Sequence, residues 1–223
     1  VVKANGFELK SGYTIHIACD TTEMEPVVKS ALKMLVNDFQ AVLSSDVCIG
    51  KEGNIIINKD TTLLDKRKEA FQLKVSDDQL YVTGSDAHGV AYGILEISRL
   101  IGVSPWEWWA DVMPLKRSSF SLANGYVNLQ APSVEFRGIF INDEDWGLMP
   151  WSSLHYEPWH KPGRIGPKTN ARIFELMLRL RANTYWPAMH ECTQPFFLTQ
   201  GNREVAEQYG IYCLLYTSPS PRD

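Results

Sequence analysis

Two short segments concentrate the side chains able to do chemistry. Asn142-Asp143-Glu144-Asp145-Trp146 sets three carboxylates beside an amide and an indole. Trp186-Pro187-Ala188-Met189-His190-Glu191 supplies a second indole, an imidazole and another carboxylate. Carboxylates and amides hydrogen-bond to hydroxyls, and an indole offers a flat apolar face to a sugar ring. Paired carboxyl groups also meet the requirement of glycoside hydrolysis: one, protonated, serves the leaving oxygen, and the other, ionised, activates water or attacks carbon. Alone, 143–145 reads more readily as a solvated acidic turn. The second segment, at the end of the next expected strand, is what favours function, and Glu144 and Glu191 are the carboxylates it nominates.

Other chemistries find less support. His190-Glu191 is not a zinc-protease signature, because position 194 is Gln where a second histidine is needed. The acidic run lacks the interleaved glycine and carbonyl ligands of a calcium loop. Gly84, Gly89 and Gly93 miss the phosphate-loop and dinucleotide spacings and read as residues allowing a tight turn and close helix packing. No metal and no cofactor is expected. The four cysteines are far apart and read as buried free thiols. Trp106-Glu107-Trp108-Trp109 is either a plug between domains or an aromatic wall beside a sugar site, the plug being preferred. His155, Tyr156, Trp159 and His160 stay open between these roles.

The elements that must position these groups follow from periodicity. Tyr13 to Cys19 is an apolar, β-branched run ending in Asp20 and two threonines. Pro26 suits a first helical turn, and Val28, Ala31, Leu32, Leu35, Phe39 and Val42 then recur along one helical face. Asn54 to Asn58 is a strand; Phe71 to Val75 and Gln79 to Thr83 flank a Ser76-Asp77-Asp78 hairpin turn. Asp86 caps a helix whose stripe is Val90, Ile94, Ile97 and Ile101, with Gly102 as terminator. After Pro132 a second pattern begins: a strand Val134 to Ile141, a long loop, and a helix opened by Thr169 with Ile173, Leu176, Met177 and Leu180 on one face. A strand Asn183 to Trp186, a short helix Glu204 to Tyr209 and a run from Gly210 to Leu214 complete it.

The fold class expected is α/β: an amino-terminal α/β domain over 1–127, then the first strands and helices of an incomplete (β/α)8 barrel over 133–213. In such parallel architectures, functional groups gather where strands end, which is where both chemical segments fall. The stretch 214–223 breaks the pattern and reads as a non-native tail of the kind left by translated adapter sequence; an ordinary disordered terminus is the alternative.

Composition narrows the class further. The 223 residues are 44% hydrophobic with a formal net charge of -4, so a globular core is expected and nucleic acid is not an expected partner. No run approaches the roughly 20 apolar residues that span a bilayer, so no membrane partner is expected, and no signal peptide stands at Val1.

Three stretches together resemble glycoside hydrolase family 115: 101–112, which runs from Ile101-Gly102-Val103-Ser104-Pro105-Trp106 to Asp111-Val112; Phe136-Arg137-Gly138 through Trp146-Gly147; and Ala182-Asn183-Thr184 through His190-Glu191-Cys192. Ile165-Gly166-Pro167-Lys168-Thr169 is similar to the family's lead into its first barrel helix. The resemblance implies an inverting α-glucuronidase that removes α-1,2-linked glucuronic or 4-O-methylglucuronic acid from xylan, with glucuronoxylan or another uronic-acid-bearing polysaccharide as partner. It implies that Asn142, Glu144, His190 and Glu191 line the uronic acid pocket, with Trp146 and Trp186 shaping its wall and Asp143 among the binding residues. The principal acid and base are expected on later barrel strands, leaving this chain inactive alone. Secretion or a periplasmic location is suggested by the family likeness. A uronate also calls for a cation, for which Arg137, Lys161, Arg164 and Lys168 are the neighbours in sequence. The rival readings are a noncatalytic carbohydrate-binding module and another barrel glycosidase of hexosaminidase-like type.

Overall fold

The computed structural model describes residues 6–141, 146–158, 163–187 and 194–214. The chain divides into two compact units, one of 1–135 together with Leu178–Leu180, the other of 136–177 with 181–223.

The first unit is built on a six-stranded sheet. Its strands are β2 (Ile15–Ala18), β3 (Val47–Gly50), β4 (Ile55–Lys59), β5 (Phe71–Ser76), β6 (Gln79–Gly84) and β8 (Val127–Gln130), in the order β3-β2-β4-β6-β5-β8. The first four in that order are mutually parallel, while β5 is antiparallel to both β6 and β8. The antiparallel insertion is local in origin. Asp77 and Asp78 both take positive φ, 52° and 60°, so a two-residue turn reverses the chain with the twist that strands prefer. A separate ribbon pairs β1 (Gly6–Lys10) with β7 (Ser119–Ala123). β1 alternates in burial and sends Phe7 and Leu9 into the core, a contribution that lay ahead of the first expected strand.

Two helices cover this sheet and pack on each other: α1 (Pro26–Leu43) and α2 (Ala87–Ile101). All six apolar positions expected on α1 are buried, as are the four on α2. Each large side chain so enclosed contributes roughly 1.5–3 kcal/mol relative to exposure. Asp86 caps α2 by accepting from the Gly89 N–H at 2.8 Å, and Gly102, at φ 103°, ends it. The α2 glycines do permit close approach: a Cβ on Gly89 would stand 2.2 Å from the Ala70 carbonyl oxygen. Glu96, almost wholly buried on α2, is held by the Arg99 guanidinium and the Asn128 amide.

The second unit holds a three-stranded parallel sheet, β11 (Tyr212–Cys213), β10 (Thr184–Trp186) and β9 (Gly138–Phe140), in that spatial order. Between them run α3 (Pro167–Arg179) and α4 (Asn202–Tyr209). Parallel neighbours joined through helices are the expected alternation of strand and helix. β9 is shorter than the anticipated Val134 to Ile141, because pairing with a three-residue strand gives it only three ladder positions. Gly138 is required there, since a Cβ would lie 1.7 Å from the Thr184 carbonyl oxygen.

Two expectations for α3 need correction. The helix opens at Pro167, two residues before Thr169, which sits buried inside the first turn. Its buried face is Ile173, Phe174, Met177 and Leu178, whereas Leu180, past the last helical residue, is exposed. Phe174 is the hub: Tyr185 of β10 meets it edge-on at 5.3 Å between centroids, with Phe196 and Tyr209 at 6.4 and 6.3 Å. Such aromatic arrangements add about 0.5–1.5 kcal/mol per pair beyond area burial.

The cysteine and tryptophan expectations also shift. Cys19, Cys48 and Cys213 are free thiols, but none is fully buried, and Cys48 on edge strand β3 is exposed. Cys192 lies outside the described residues. Trp106, Trp108 and Trp109 are none of them buried, so they do not fill a core; Trp108 and Trp109 pack edge-on at 4.9 Å.

Candidate active-site edge of the parallel sheet

The two chemical segments issue from neighbouring strands. Phe140 stands opposite Trp186 in the β9–β10 register, and the Ile141 N–H donates to the Trp186 carbonyl at 3.0 Å. The roots of the two segments are thus hydrogen-bonded at the carboxyl end of a parallel sheet, where catalytic groups collect in α/β architectures. Asn142, Asp143, Glu144, His190 and Glu191 themselves lie outside the described residues.

Trp186 is partly buried and its ring tilts against Phe140 with centroids 5.1 Å apart. Trp146 is 94% exposed, an indole with both faces open to solvent. Backbone bonding makes the strand roots rigid. Asn183, buried at the start of β10, donates its N–H to the Arg137 carbonyl at 2.7 Å and accepts from the Arg137 N–H through its side-chain oxygen at 2.9 Å.

Of the cations nearby in sequence, Arg137 directs its Nε to the Arg181 carbonyl at 2.9 Å, tying down the chain before β10. Lys168 is exposed at the start of α3, at the opposite end of that helix from β10. Arg164 is partly buried, and Lys161 lies outside the described residues. Tyr156 stacks on Trp151 at 5.1 Å with 10° between planes. His155 is exposed, while Trp159 and His160 lie outside the described residues.

Sequence reasoning missed the polar support beneath this edge. The loop before α3 makes a helical turn, Leu148–Trp151, followed by a π-helical turn, Ser152–Tyr156, and delivers Glu157 to the start of α3. There the buried Glu157 carboxylate binds backbone N–H groups of the first helical turn, and the Ser152 and Thr169 hydroxyls lie 2.6 Å apart. At the other end of the layer, the Tyr209 hydroxyl donates to Glu175 at 3.0 Å; burial, then the Glu175 charge, pushes its pKa up. Burial pushes the Cys213 thiol on β11 up to about 12. A buried glutamate inside a long loop carries no periodic signal; the one available cue was the Gly166-Pro167 helix start that it caps.

Among the described residues no group of three His, Cys, Asp or Glu side chains is placed to hold a metal ion, and no helix is long and apolar enough to cross a membrane.

Comparison with known proteins places this arrangement. No curated protein matches the chain. The model of glycosyl hydrolase family 115 matches residues 129–216, which contain both chemical segments. Among solved structures, a family GH115 4-O-methyl-α-glucuronidase, BtGH115A, with specificity for decorated arabinogalactans is 57% identical, with a TM-score of 0.88. That match covers 93% of this chain and 29% of the other, so the chain spans less than a third of its relative. An exo-β-N-acetylglucosaminidase from Vibrio harveyi, at 16% identity and TM-score 0.58, and a β-hexosaminidase from Streptomyces plicatus, at 13% and 0.55, share the fold alone. Over the residues it spans, with its two chemical segments inside the matched region, the chain belongs to glycosyl hydrolase family 115.

Proposed function

We propose that this chain is the amino-terminal part of an inverting α-glucuronidase that hydrolyses α-1,2-linked glucuronic or 4-O-methylglucuronic acid side chains of a polysaccharide. The observation that carries the reading is 57% identity, over nearly the whole chain, to a 4-O-methyl-α-glucuronidase. Glucuronoxylan is the substrate the family resemblance implies; the decorated arabinogalactans of the solved relative are the second polymer to test.

In this reading Glu144 and Glu191 are the carboxylates of the two strand-end segments, and Asn142, Asp143 and His190 bind sugar hydroxyls. Trp146 and Trp186 present apolar faces to the ring. The hydrogen bond between Ile141 and Trp186 supports it, because it holds the roots of both segments side by side.

The second unit is the opening of a (β/α)8 barrel. Its parallel β9, β10 and β11 and intervening helices support that assignment, as does the exposure of all three β9 residues, which a closed barrel would cover. A sheet of three strands with open outer edges cannot enclose a substrate, so the 223-residue chain alone is inactive, and its exposed edges favour association. Export from the cell fits an enzyme acting on polysaccharide.

The test is an assay of the longer protein, spanning the relative's full length, for uronic acid release from glucuronoxylan and from decorated arabinogalactan. The Glu191→Ala variant and the 223-residue chain run alongside. Release by the longer protein, lost in the variant and absent from the short chain, supports the proposal. No release from either polymer by the longer protein refutes it.

A further inference from the structure

The sheet of the first unit opens at one point. Up to Ala18, β2 is bonded to β3 on one side and β4 on the other. Beyond Ala18 the Cys19 N–H still donates to the Gly50 carbonyl at 2.9 Å, so the chain leaving β2 follows β3. β4 instead runs on through Ile57, Asn58 and Lys59 in register with Val82, Thr83 and Gly84 of β6. The two paths diverge and leave a hollow of about 590 Å³ between Cys19–Thr22 and Ile57–Asn58. It sits at the carboxyl ends of parallel strands, between β2, whose chain continues to β3 on one side, and β4, whose chain continues to β5 in the other direction along the sheet, the kind of place where open α/β sheets bind ligands.

Its lining is preset for a polar, uncharged molecule. Asp20 Oδ1 accepts from the N–H and hydroxyl of Thr22 at 3.0 and 2.7 Å, which fixes the carboxylate and leaves Oδ2 as an open acceptor. These bonds, backbone first, hold the Asp20 pKa below the usual range, so the acceptor stays ionised. Asn58 adds an amide with no protein hydrogen bond among the described residues, and Lys51 adds an ammonium opposite the one carboxylate. Ala18, Ile56 and Ile57 supply the apolar part. A smaller hollow of about 230 Å³ shares Cys19, Asp20, Ile57 and Asn58, and at its wall Glu25 is already paired with Lys59.

We propose that this crevice binds a neutral sugar residue of a glycan chain, with Asp20 and Asn58 taking its hydroxyls. The choice of a sugar rests on the polysaccharide reading above. Neutrality rests on the crevice itself, where an anionic sugar would lie against Asp20 and a cationic one against Lys51.

The test is a titration of the ¹⁵N-labelled 223-residue chain with xylotetraose, galactotriose and sodium glucuronate, following amide resonances. Saturating shifts at Asp20, Thr21, Thr22, Lys51 and Asn58 are expected with at least one neutral oligosaccharide. Asn58→Ala and Asp20→Asn, both at exposed positions, should each weaken that binding about tenfold, the scale of one lost hydrogen bond. Trp186→Ala should leave it unchanged. The proposal is overturned if neither neutral probe shifts these amides, if glucuronate binds more tightly than both, or if the crevice variants bind like the parent chain. Hydrolysis is a separate readout, so a failed glucuronidase assay and a failed titration are told apart.

Discussion

The Glu157 carboxylate accepts hydrogen bonds from the N–H groups of Lys168 and Thr169, at 3.1 and 3.0 Å, and from the Thr169 hydroxyl at 3.1 Å. An anion thus sits on the orphan donors of the first turn of α3, where the helix dipole favours it. The loop that bears Glu157 arrives so close that a Cβ on Gly166 would stand 2.4 Å from the carboxylate. Gly166 and Glu157 therefore form one structural unit that fixes where α3 begins and, through Phe174, how it seats on β10.

Glu157→Ala should destabilise the chain by about 1.5–3 kcal/mol, the range for hydrogen bonds to a charged group. Gly166→Ala should cost a similar amount by displacing the carboxylate. In the double variant the added methyl meets no carboxylate, so the two losses should fall short of additivity by at least about 0.5 kcal/mol. Urea unfolding midpoints for the four chains measure this, and strict additivity would separate the two residues.

Within the first unit, Arg179 donates to both carboxylate oxygens of Asp38 at 2.7 and 2.9 Å, with side chains only 8% and 6% exposed. Removing Asp38 leaves the buried Arg179 guanidinium only its looser contact with Glu107 at 3.8 Å. Asp38→Ala should therefore cost about 3–5 kcal/mol, whereas replacing both residues by apolar ones of similar size should cost far less. Chemical denaturation of the single and paired variants decides between these outcomes.

Thiol reactivity should follow exposure and burial. Cys48 is exposed, whereas burial raises the pKa of Cys19 and pushes Cys213 up to about 12. At pH 8 roughly one Cys213 thiol in ten thousand is thiolate, so iodoacetamide should label Cys48 well before Cys213. Peptide mass mapping over a time course reads the order directly.

Alkaline stability carries a sign fixed by the same groups. The folded chain keeps the protons of Cys213 and Tyr209 to higher pH than their ordinary values of 9.0 and 10.0. Above pH 9 the folded state binds more protons than the unfolded one, so stability is full below that point and falls as pH rises. The urea midpoint should drop steadily from pH 9 to 11, and Cys213→Ala should reduce the early part of the decline.

In the longer enzyme, Glu191→Ala should lower kcat/KM by about 10- to 100-fold, the scale of a lost hydrogen bond to a charged group lining the uronic acid pocket. Trp186→Ala should act chiefly on KM, because a ring face binds substrate and transition state alike. Steady-state kinetics on a uronic-acid-bearing oligosaccharide separates the two.

Much of this fold was legible where periodicity or local chemistry is decisive. The stripes of α1 and α2, the Asp86 cap, the Gly102 terminator and the Ser76-Asp77-Asp78 turn all depend on neighbours within a few residues. What escaped depends on distant partners. β1 is defined by β7, more than a hundred residues on; β9 is short because β10 is short; α3 starts where Glu157 sets it. The candidate site divides likewise: strand-end position was readable from the pattern, whereas the hydrogen bond joining Ile141 to Trp186 required the register of two strands.

The buried pair of Asp38 and Arg179 also sets a clock. The two residues are 141 positions apart, and a ribosome adding about 5–20 residues per second delivers the arginine roughly 7–28 s after the aspartate. Until then the carboxylate on α1 lacks the one cation that, among the described residues, pairs with it, and it resists enclosure. Translation itself thus delays closure of the first core until α3 has been made, and an Asp38→Asn chain, examined as stalled nascent polypeptides, should become protease-resistant at a shorter length than the parent.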